Sequence, residues 1–189
     1  MENWYEKLIV QKEKFGIHEA AVIPVKEIIF SEGVRKLCEQ NTCGRFGKTW
    51  SCPPGVGTLE ECREQIMQYD AMLIYTTKHD LEDSYDWDGM MAGKEVHKKI
   101  CAQVKVWVKA NSSEKLLYLL DGECRLCEKC AYPNQPCRFP EDRDCSIEAF
   151  GIEVNRLAES GGIHYINGVN TVTYFSGICF GKNGKINCV

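Results

Sequence analysis

The spacing of apolar residues predicts five helices. In five segments an apolar side chain recurs every three or four positions, which is the period of a helix that buries one side. Ser31 and Thr58 are placed to cap two of these helices, and Thr58 forms a capping box with Glu61. Gly16 and Gly161 follow the first and last segments and indicate their ends. The predicted ranges are 3–15, 31–38, 58–69, 89–111 and 147–159.

Short apolar runs predict strands between these helices. The runs are rich in β-branched and aromatic residues, which favour sheets. Pro24 places the first run at a sheet edge or a bend, and Asn167 with Gly168 predicts a hairpin turn between the last two runs. The predicted ranges are 20–25, 71–77, 116–120, 163–166 and 171–180.

The order of these elements predicts an α/β fold. A chain of 189 residues is long enough for one compact domain with a hydrophobic core, so residues 1–189 are expected to form a single domain. Roughly residues 20–77 and 115–180 each run strand, cysteine loop, helix, strand. Two pseudo-symmetric halves are therefore expected within the domain.

Charge and composition narrow the class of protein. The net charge is -4 and no basic run stands out, which argues against a nucleic-acid or anionic-membrane surface. Residues 1–10 lack the features of a signal peptide, and no apolar stretch approaches the length of about 18 residues that spans a membrane. We therefore expect a cytoplasmic protein. In a reducing compartment its 12 cysteines are better explained as metal ligands than as disulfides, and exposed thiolate sites suit oxygen-poor cells.

Residues 124–137 carry the strongest chemical pattern in the chain. Cys124, Cys127 and Cys130 are separated by two residues each, as at the start of the bacterial iron-sulfur pattern. Cys137 is the nearest fourth ligand, although its spacing differs from that pattern and Arg138 follows it where proline is expected. A [4Fe-4S] cluster is the favoured occupant. Zinc is the alternative, but structural zinc sites usually take two ligand pairs held apart by a longer loop.

A second group of thiols lies in a loop rich in glycine and proline. Cys38, Cys43 and Cys52 could hold a second cluster or a single metal ion, with Cys145, solvent or substrate in the fourth position. In a variant of this hypothesis, Cys52 would instead complete the centre formed by the first three thiols of residues 124–137. The alternative without metal is a structural loop whose cysteines behave as small apolar residues.

Three further features are better explained by structure than by chemistry. Cys62 falls on the apolar side of its predicted helix and is expected in the core. His97 and Cys101 lie one helical turn apart on a buried stripe, and we favour core side chains over a metal pair. The acidic residues in 79–88 are expected to form a solvated loop.

The motifs taken together resemble a bacterial and archaeal family of predicted metal-binding proteins. The resemblance covers nearly the whole chain and rests on Cys52-Pro-Pro-Gly, on the three closely spaced thiols followed by Ala-Tyr-Pro, and on Pro136-Cys137-Arg-x-Pro140 leading to Ser146-x-Glu148-Ala149-x-Gly151. It implies a cysteine-bound metal, most plausibly iron-sulfur, in prokaryotes that often live without oxygen. It implies no established reaction.

Three functions are compatible with the sequence. The first is electron transfer by one or two cubane clusters, which requires a redox partner protein. A homodimer is also compatible with the sequence. The second is a redox enzyme or maturation factor with a substrate-accessible cluster in the loop of Cys38, Cys43 and Cys52. The third is a zinc-stapled binding module. The candidate ligands are Cys124, Cys127, Cys130, Cys137, Cys38, Cys43 and Cys52.

Overall fold

The computed structural model describes residues 3–181. Within this range the chain forms five α-helices and a sheet of five strands. The helices are α1 (Trp4–Val10), α2 (Glu32–Glu39), α3 (Leu59–Ile66), α4 (Trp87–Asn111) and α5 (Val154–Gly161). The strands are β1 (Ala20–Pro24), β2 (Ala71–Asp80), β3 (Leu117–Leu120), β4 (Cys145–Ser146) and β5 (Thr171–Phe180).

The strands form one mixed sheet in the order β1-β2-β5-β3-β4. The long strands β2 and β5 pair antiparallel along their whole length and form its centre. β1 lies at one edge, as Pro24 predicted, because an edge strand can leave one side of its backbone unpaired. At the other edge the two-residue β4 pairs in parallel with β3.

Helices cover both faces of the sheet. Met72 and Ile74 point to one face and pack in a core with residues of α3 and α5, whereas Leu73 and Tyr75 point to the other face and pack against α1 and α4. This alternation follows from the two-residue period of a strand. The α/β fold in a single compact domain is therefore confirmed.

The predicted helices with strong periodicity and local caps are found close to their expected positions. α4 begins two residues before the predicted start, and the carboxylate of Asp86 accepts a hydrogen bond from the backbone N–H of Gly89. α3 begins at the predicted capping box of Thr58 and Glu61. The first predicted helix is split into α1 and a 3-10 turn, Lys12–Phe15, which ends at Gly16 as expected.

The predicted helix over 147–159 is wrong in its first half. A short 3-10 turn, Glu148–Phe150, ends at Gly151, which has a left-handed φ of 74°. Ile152 then forms an antiparallel bridge with Phe30, and α5 begins only at Val154. The bridge takes these residues out of helical geometry, so the contact with residue 30 overrides the local preference.

The predicted hairpin between 163–166 and 171–180 is also wrong. β5 is present, but residues 163–170 form no strand. One carboxylate oxygen of Glu19 accepts a hydrogen bond from the backbone N–H of His164 over 2.9 Å. The other carboxylate oxygen lies 2.8 Å from Nδ1 of the same histidine. The segment is thus attached to the end of β1 by side chains, while β5 pairs with β2 and β3.

The internal repeat stays a prediction. The pairs β1–β2 and β3–β5 are both antiparallel and flank the central β2–β5 pair, which is compatible with two related halves. The second half, however, contains an additional strand, β4, between its cysteine loop and its helix. Within residues 3–181, no helix is both long enough and apolar enough to cross a membrane.

Candidate metal centre

The four-cysteine loop, residues 124–137, follows β3, which is the neighbour of the edge strand β4. Its four thiols are partly exposed and line one small cavity with Trp50, Ser51 and Arg143. The structure therefore places these candidate ligands around a common space: Cys124, Cys127, Cys130 and Cys137.

The second cysteine loop, residues 38–52, is held by α2 and a buried arginine. Ser31 caps α2 by accepting a hydrogen bond from the N–H of Gly33, as predicted. Arg35 on α2 is buried and donates hydrogen bonds to the carbonyl oxygens of Gly57 and Ala149. The guanidinium thus connects α2 with the segment that follows the second cysteine loop and with the segment after β4.

The two cysteine loops contact each other directly. The backbone N–H of Cys124 donates a hydrogen bond to Ser51 Oγ over 3.2 Å. Trp50 Nε1 donates a hydrogen bond to the carbonyl oxygen of Gln135 over 3.0 Å. The ring of Trp50 also packs edge-on against Tyr132, with their centroids 4.9 Å apart. Both sets of candidate ligands therefore belong to one region of the molecule.

A glycine permits this close approach. A Cβ on Gly55 would lie 2.5 Å from the carbonyl oxygen of Thr49 and 2.8 Å from Cε2 of Tyr132. Both distances are well inside van der Waals contact, so a side chain at residue 55 would push Tyr132 away. This close packing fixes the position of the second loop relative to the four-cysteine loop.

Basic side chains surround the thiols and are mostly paired with acids. Arg45 forms an ion pair with Glu123, next to Cys124. Arg125 lies 3.1 Å from Glu95 and 3.7 Å from Glu123. Arg143 is on the wall of the four-cysteine cavity itself. Positive charges at these places would partly offset the negative charge of bound thiolates.

Burial controls the protonation of the thiols in the second loop. It raises the pKa of Cys38, and the neighbouring Cys43 and Cys52 thiols add to that rise while Arg35 opposes it. It also raises the pKa of Cys52, against hydrogen bonds from Thr49 and Ser51. In the metal-free protein these two thiols therefore keep their protons at neutral pH, and metal binding must release them.

Among the described residues, four other thiols belong to the hydrophobic core: Cys62, Cys101, Cys145 and Cys179. Cys62 and Cys101 are buried, as expected from their helical positions, and burial raises the pKa of each to about 11. Cys145, considered above as a fourth ligand, lies on β4 with 1% of its surface exposed, and burial raises its pKa to about 12. Its neighbours include Cys52 and Cys124, so it borders the site from the core side.

The described thiols are not drawn together into a coordination sphere. Among residues 3–181, no three His, Cys, Asp or Glu side chains are arranged to hold a metal ion. The four-cysteine cavity has a volume of about 20 Å³, enough for roughly one water molecule. The donor set nevertheless fits a soft metal, because thiolates select zinc and iron-sulfur clusters. Binding would require the thiols to turn inward, and the cavity to widen if a cluster is bound.

Sequence reasoning missed two residues that organise this site. Ser51 is 1% exposed and joins the two loops, and Arg35 is 8% exposed and joins three segments. A serine beside a cysteine carries no pattern of its own. A basic residue on α2 gives no sign that it will be buried, since most arginines lie at the surface.

Comparison with known proteins places the chain in a family. Neither the curated proteins nor the solved structures include a significant match to it. One family profile, described as predicted metal-binding protein (DUF2284), matches residues 21–180. This range contains both cysteine loops and all five strands except the first residue of β1. The chain therefore belongs to the predicted metal-binding protein family DUF2284.

Proposed function

We propose that the chain is an iron-sulfur protein that transfers electrons in the cytoplasm of oxygen-poor cells, with a [4Fe-4S] cluster held by the four-cysteine loop. One observation carries the proposal: four thiols from a segment of fourteen residues line a single cavity, and an arginine lies on its wall. When bound, such a cluster accepts and donates single electrons.

The surrounding residues would hold and tune this centre. Ser51 would fix the loop by accepting the hydrogen bond of the Cys124 N–H, which orients the first ligand. Arg143 on the cavity wall would favour the more negative, reduced state and so raise the reduction potential. The partly exposed thiols would leave an edge of the centre open to a redox partner protein.

The second loop would supply a further centre. Cys38, Cys43 and Cys52 offer three thiols, and the exposed Cys43 leaves this side open to solvent. Three protein ligands leave one coordination position for a substrate, which would make the chain a redox enzyme or maturation factor. Contact between the loops would then serve electron transfer from one centre to the other.

A single Zn²⁺ in the four-cysteine loop is the second candidate. The observation that favours it is the small cavity, about 20 Å³, which a mononuclear ion would disturb less than a cluster would. Four thiolates can bind zinc tetrahedrally with bond lengths of about 2.3 Å. The site would then stabilise the fold and carry no electrons.

The deciding experiment is metal analysis of the chain purified without oxygen. We expect about four iron and four sulfide atoms per chain, or about eight of each if the second loop also binds a cluster. About one zinc atom without sulfide would overturn the redox proposal and support the structural site. Reduction by dithionite should bleach the visible absorbance of an iron-sulfur form.

Cysteine variants assign the ligands. Cys127→Ser should lose the iron and sulfide of the four-cysteine loop, because a thiolate ligand is removed. Cys179→Ala is the matched control, since this thiol is buried in β5 within the core and does not line the cavity. Equal metal content in the two variants would place the metal elsewhere in the chain.

A further inference from the structure

A large cavity lies beside the four-cysteine cavity. It has a volume of about 530 Å³, is open to solvent on one side, and is lined by one side of α4 and by the segments that follow β3 and precede β4. Leu126 and Phe139 line both cavities and form a wall that the two cavities share. Sites for small molecules in proteins usually measure roughly 300–1,000 Å³.

The wall of this cavity is apolar where ordinary surface would be polar. Val106, Leu126 and Phe139 are 70%, 43% and 45% exposed, and all three line it. They come from three separate segments of the chain, and Ala102 and Leu120 extend the same surface. Large apolar side chains left exposed in one concave place are typical of a ligand site.

The charges at the end nearest Cys124 favour an anion. Lys98 lies 3.2 Å and Arg125 3.1 Å from the same carboxylate, Glu95. Arg125 and Arg45 both form ion pairs with Glu123. Lys94 lies 3.5 Å from Asp121. Of these groups, Lys98, Arg125, Asp121 and Glu123 line the cavity. With Arg45, Lys94 and Glu95 behind the lining, four cations share three carboxylates. Towards the other end of α4, by contrast, lysines and aspartates pair one to one, Lys105 with Asp144 and Lys109 with Asp142.

Lys98 is the cation best placed to meet a ligand. It lines the cavity, only 19% of its side chain is exposed, and its partner Glu95 lies on the outer surface of the same helix. An ammonium group has three hydrogen-bond donors, so Lys98 can bind an anion while it keeps its ion pair with Glu95. Lys99, the next residue, is exposed and does not line the cavity.

We infer that this cavity binds a small organic anion, with an apolar body against Val106, Leu126 and Phe139 and its acidic group at Lys98. The inference concerns the metal-free chain and goes beyond the proposed function.

The test uses a pair of fluorescent probes that differ only in charge. Anilinonaphthalene sulfonate has an aromatic body and a sulfonate, and N-phenylnaphthylamine has the same body without it. Both are titrated into metal-free protein, and we expect one saturable site for each. Ala102→Trp should fill the cavity and weaken the binding of both probes more than about tenfold. This corresponds to a loss of roughly 1.4 kcal/mol or more in the binding free energy. Ala110→Trp, exposed on α4 outside the cavity, should leave both unchanged.

The charge variants test the anion. Lys98→Gln should weaken the sulfonate probe about threefold, as loss of a partly exposed ion pair does, and leave the neutral probe unchanged. Lys99→Gln should affect neither. Unchanged binding in Ala102→Trp would overturn the site, and equal behaviour of the two lysine variants would overturn its preference for an anion. These titrations contain no metal, so the absence of an iron-sulfur cluster would not affect their outcome.

Discussion

The backbone N–H of Cys124 donates a hydrogen bond to Ser51 Oγ, and this bond joins the two cysteine loops across 73 positions of sequence. Ser51 is buried, and its hydroxyl also lies 3.1 Å from Thr49 Oγ1. The four-cysteine loop has little regular secondary structure of its own. Cys124, its first candidate ligand, therefore depends on the second loop for its position.

Ser51→Ala should weaken both the fold and the metal site. The variant leaves the partly buried N–H of Cys124 without its acceptor, which should cost about 1 kcal/mol in the free energy of unfolding. Metal content per chain should fall as well, because the first ligand is no longer oriented. Urea unfolding and metal analysis measure the two effects. Ser113→Ala, at an exposed serine, should change neither, and native metal content in Ser51→Ala would contradict the positioning role.

This contact shows what the sequence could not predict about the site. The candidate thiols were found because their spacing is local, and the four in residues 124–137 do line one cavity. The contact of Ser51 with Cys124 is long-range and made by residue types without a pattern, so nothing local indicated it. Spacing alone also does not determine which metal such a set of thiols would take.

The same distinction explains the fold. α4 and the capped α3 were predicted because their periodicity and caps lie within the segments themselves. The hairpin before β5 was wrong because Glu19, 145 positions away, binds His164 and keeps that segment out of the sheet. The prediction of a helix over 147–159 was wrong in its first half for a similar reason, because Ile152 forms a bridge with the distant Phe30.

Gly55→Ala should separate the two cysteine loops. Its Cβ would overlap the carbonyl oxygen of Thr49 and the ring of Tyr132, and overpacking of this kind costs about 1–3 kcal/mol. Displacing Tyr132 should also reduce metal binding by the loop that contains it. Metal content and the urea midpoint are the measurements.

Gly44→Ala is the matched control for this variant. Gly44 lies in the second cysteine loop, eleven residues before Gly55, with open space around it and a left-handed φ of 73°. It should lose only the roughly 1–2 kcal/mol of backbone strain and keep its metal. Equal loss of metal in the two glycine variants would show that general destabilisation, and not loop contact, controls binding.

Arg35→Lys should destabilise the protein although the charge is kept. The guanidinium donates hydrogen bonds to two carbonyl oxygens, of Gly57 and Ala149, and a single ammonium cannot match that fork. We expect a loss of about 3 kcal/mol in the free energy of unfolding, since each hydrogen bond from a charged donor contributes about 1.5–3 kcal/mol. Arg63→Lys, exposed on α3, should change stability by less than about 0.5 kcal/mol. A small effect at both positions would mean that Arg35 does not hold the segments together.

His97 should make the protein sensitive to acid. The ring is fully buried and lies 2.8 Å from Thr77 Oγ1 and 2.9 Å from Ser176 Oγ. Burial, helped by the positive charges of His79, Lys94 and Lys98, lowers its pKa from 6.5 to about 3. Between these values the unfolded chain binds a proton that the folded chain does not. The free energy of unfolding should therefore be unaffected by His97 above pH 6.5 and fall as the pH drops towards 3, by up to about 1.4 kcal/mol per pH unit.

His97→Gln separates this effect from the titration of the acids. The variant should be less stable than the native protein at pH 7, because its amide cannot reproduce both hydrogen bonds in the same geometry. Its stability should nevertheless fall less steeply between pH 6 and pH 4, as measured by urea unfolding, since the buried imidazole no longer titrates. Gln103→Ala, at an exposed position of the same helix that carries no titratable group, should keep the native slope. If His97→Gln kept that slope too, the acid sensitivity would have to come from other groups, and the buried ring would not be the one that excludes a proton.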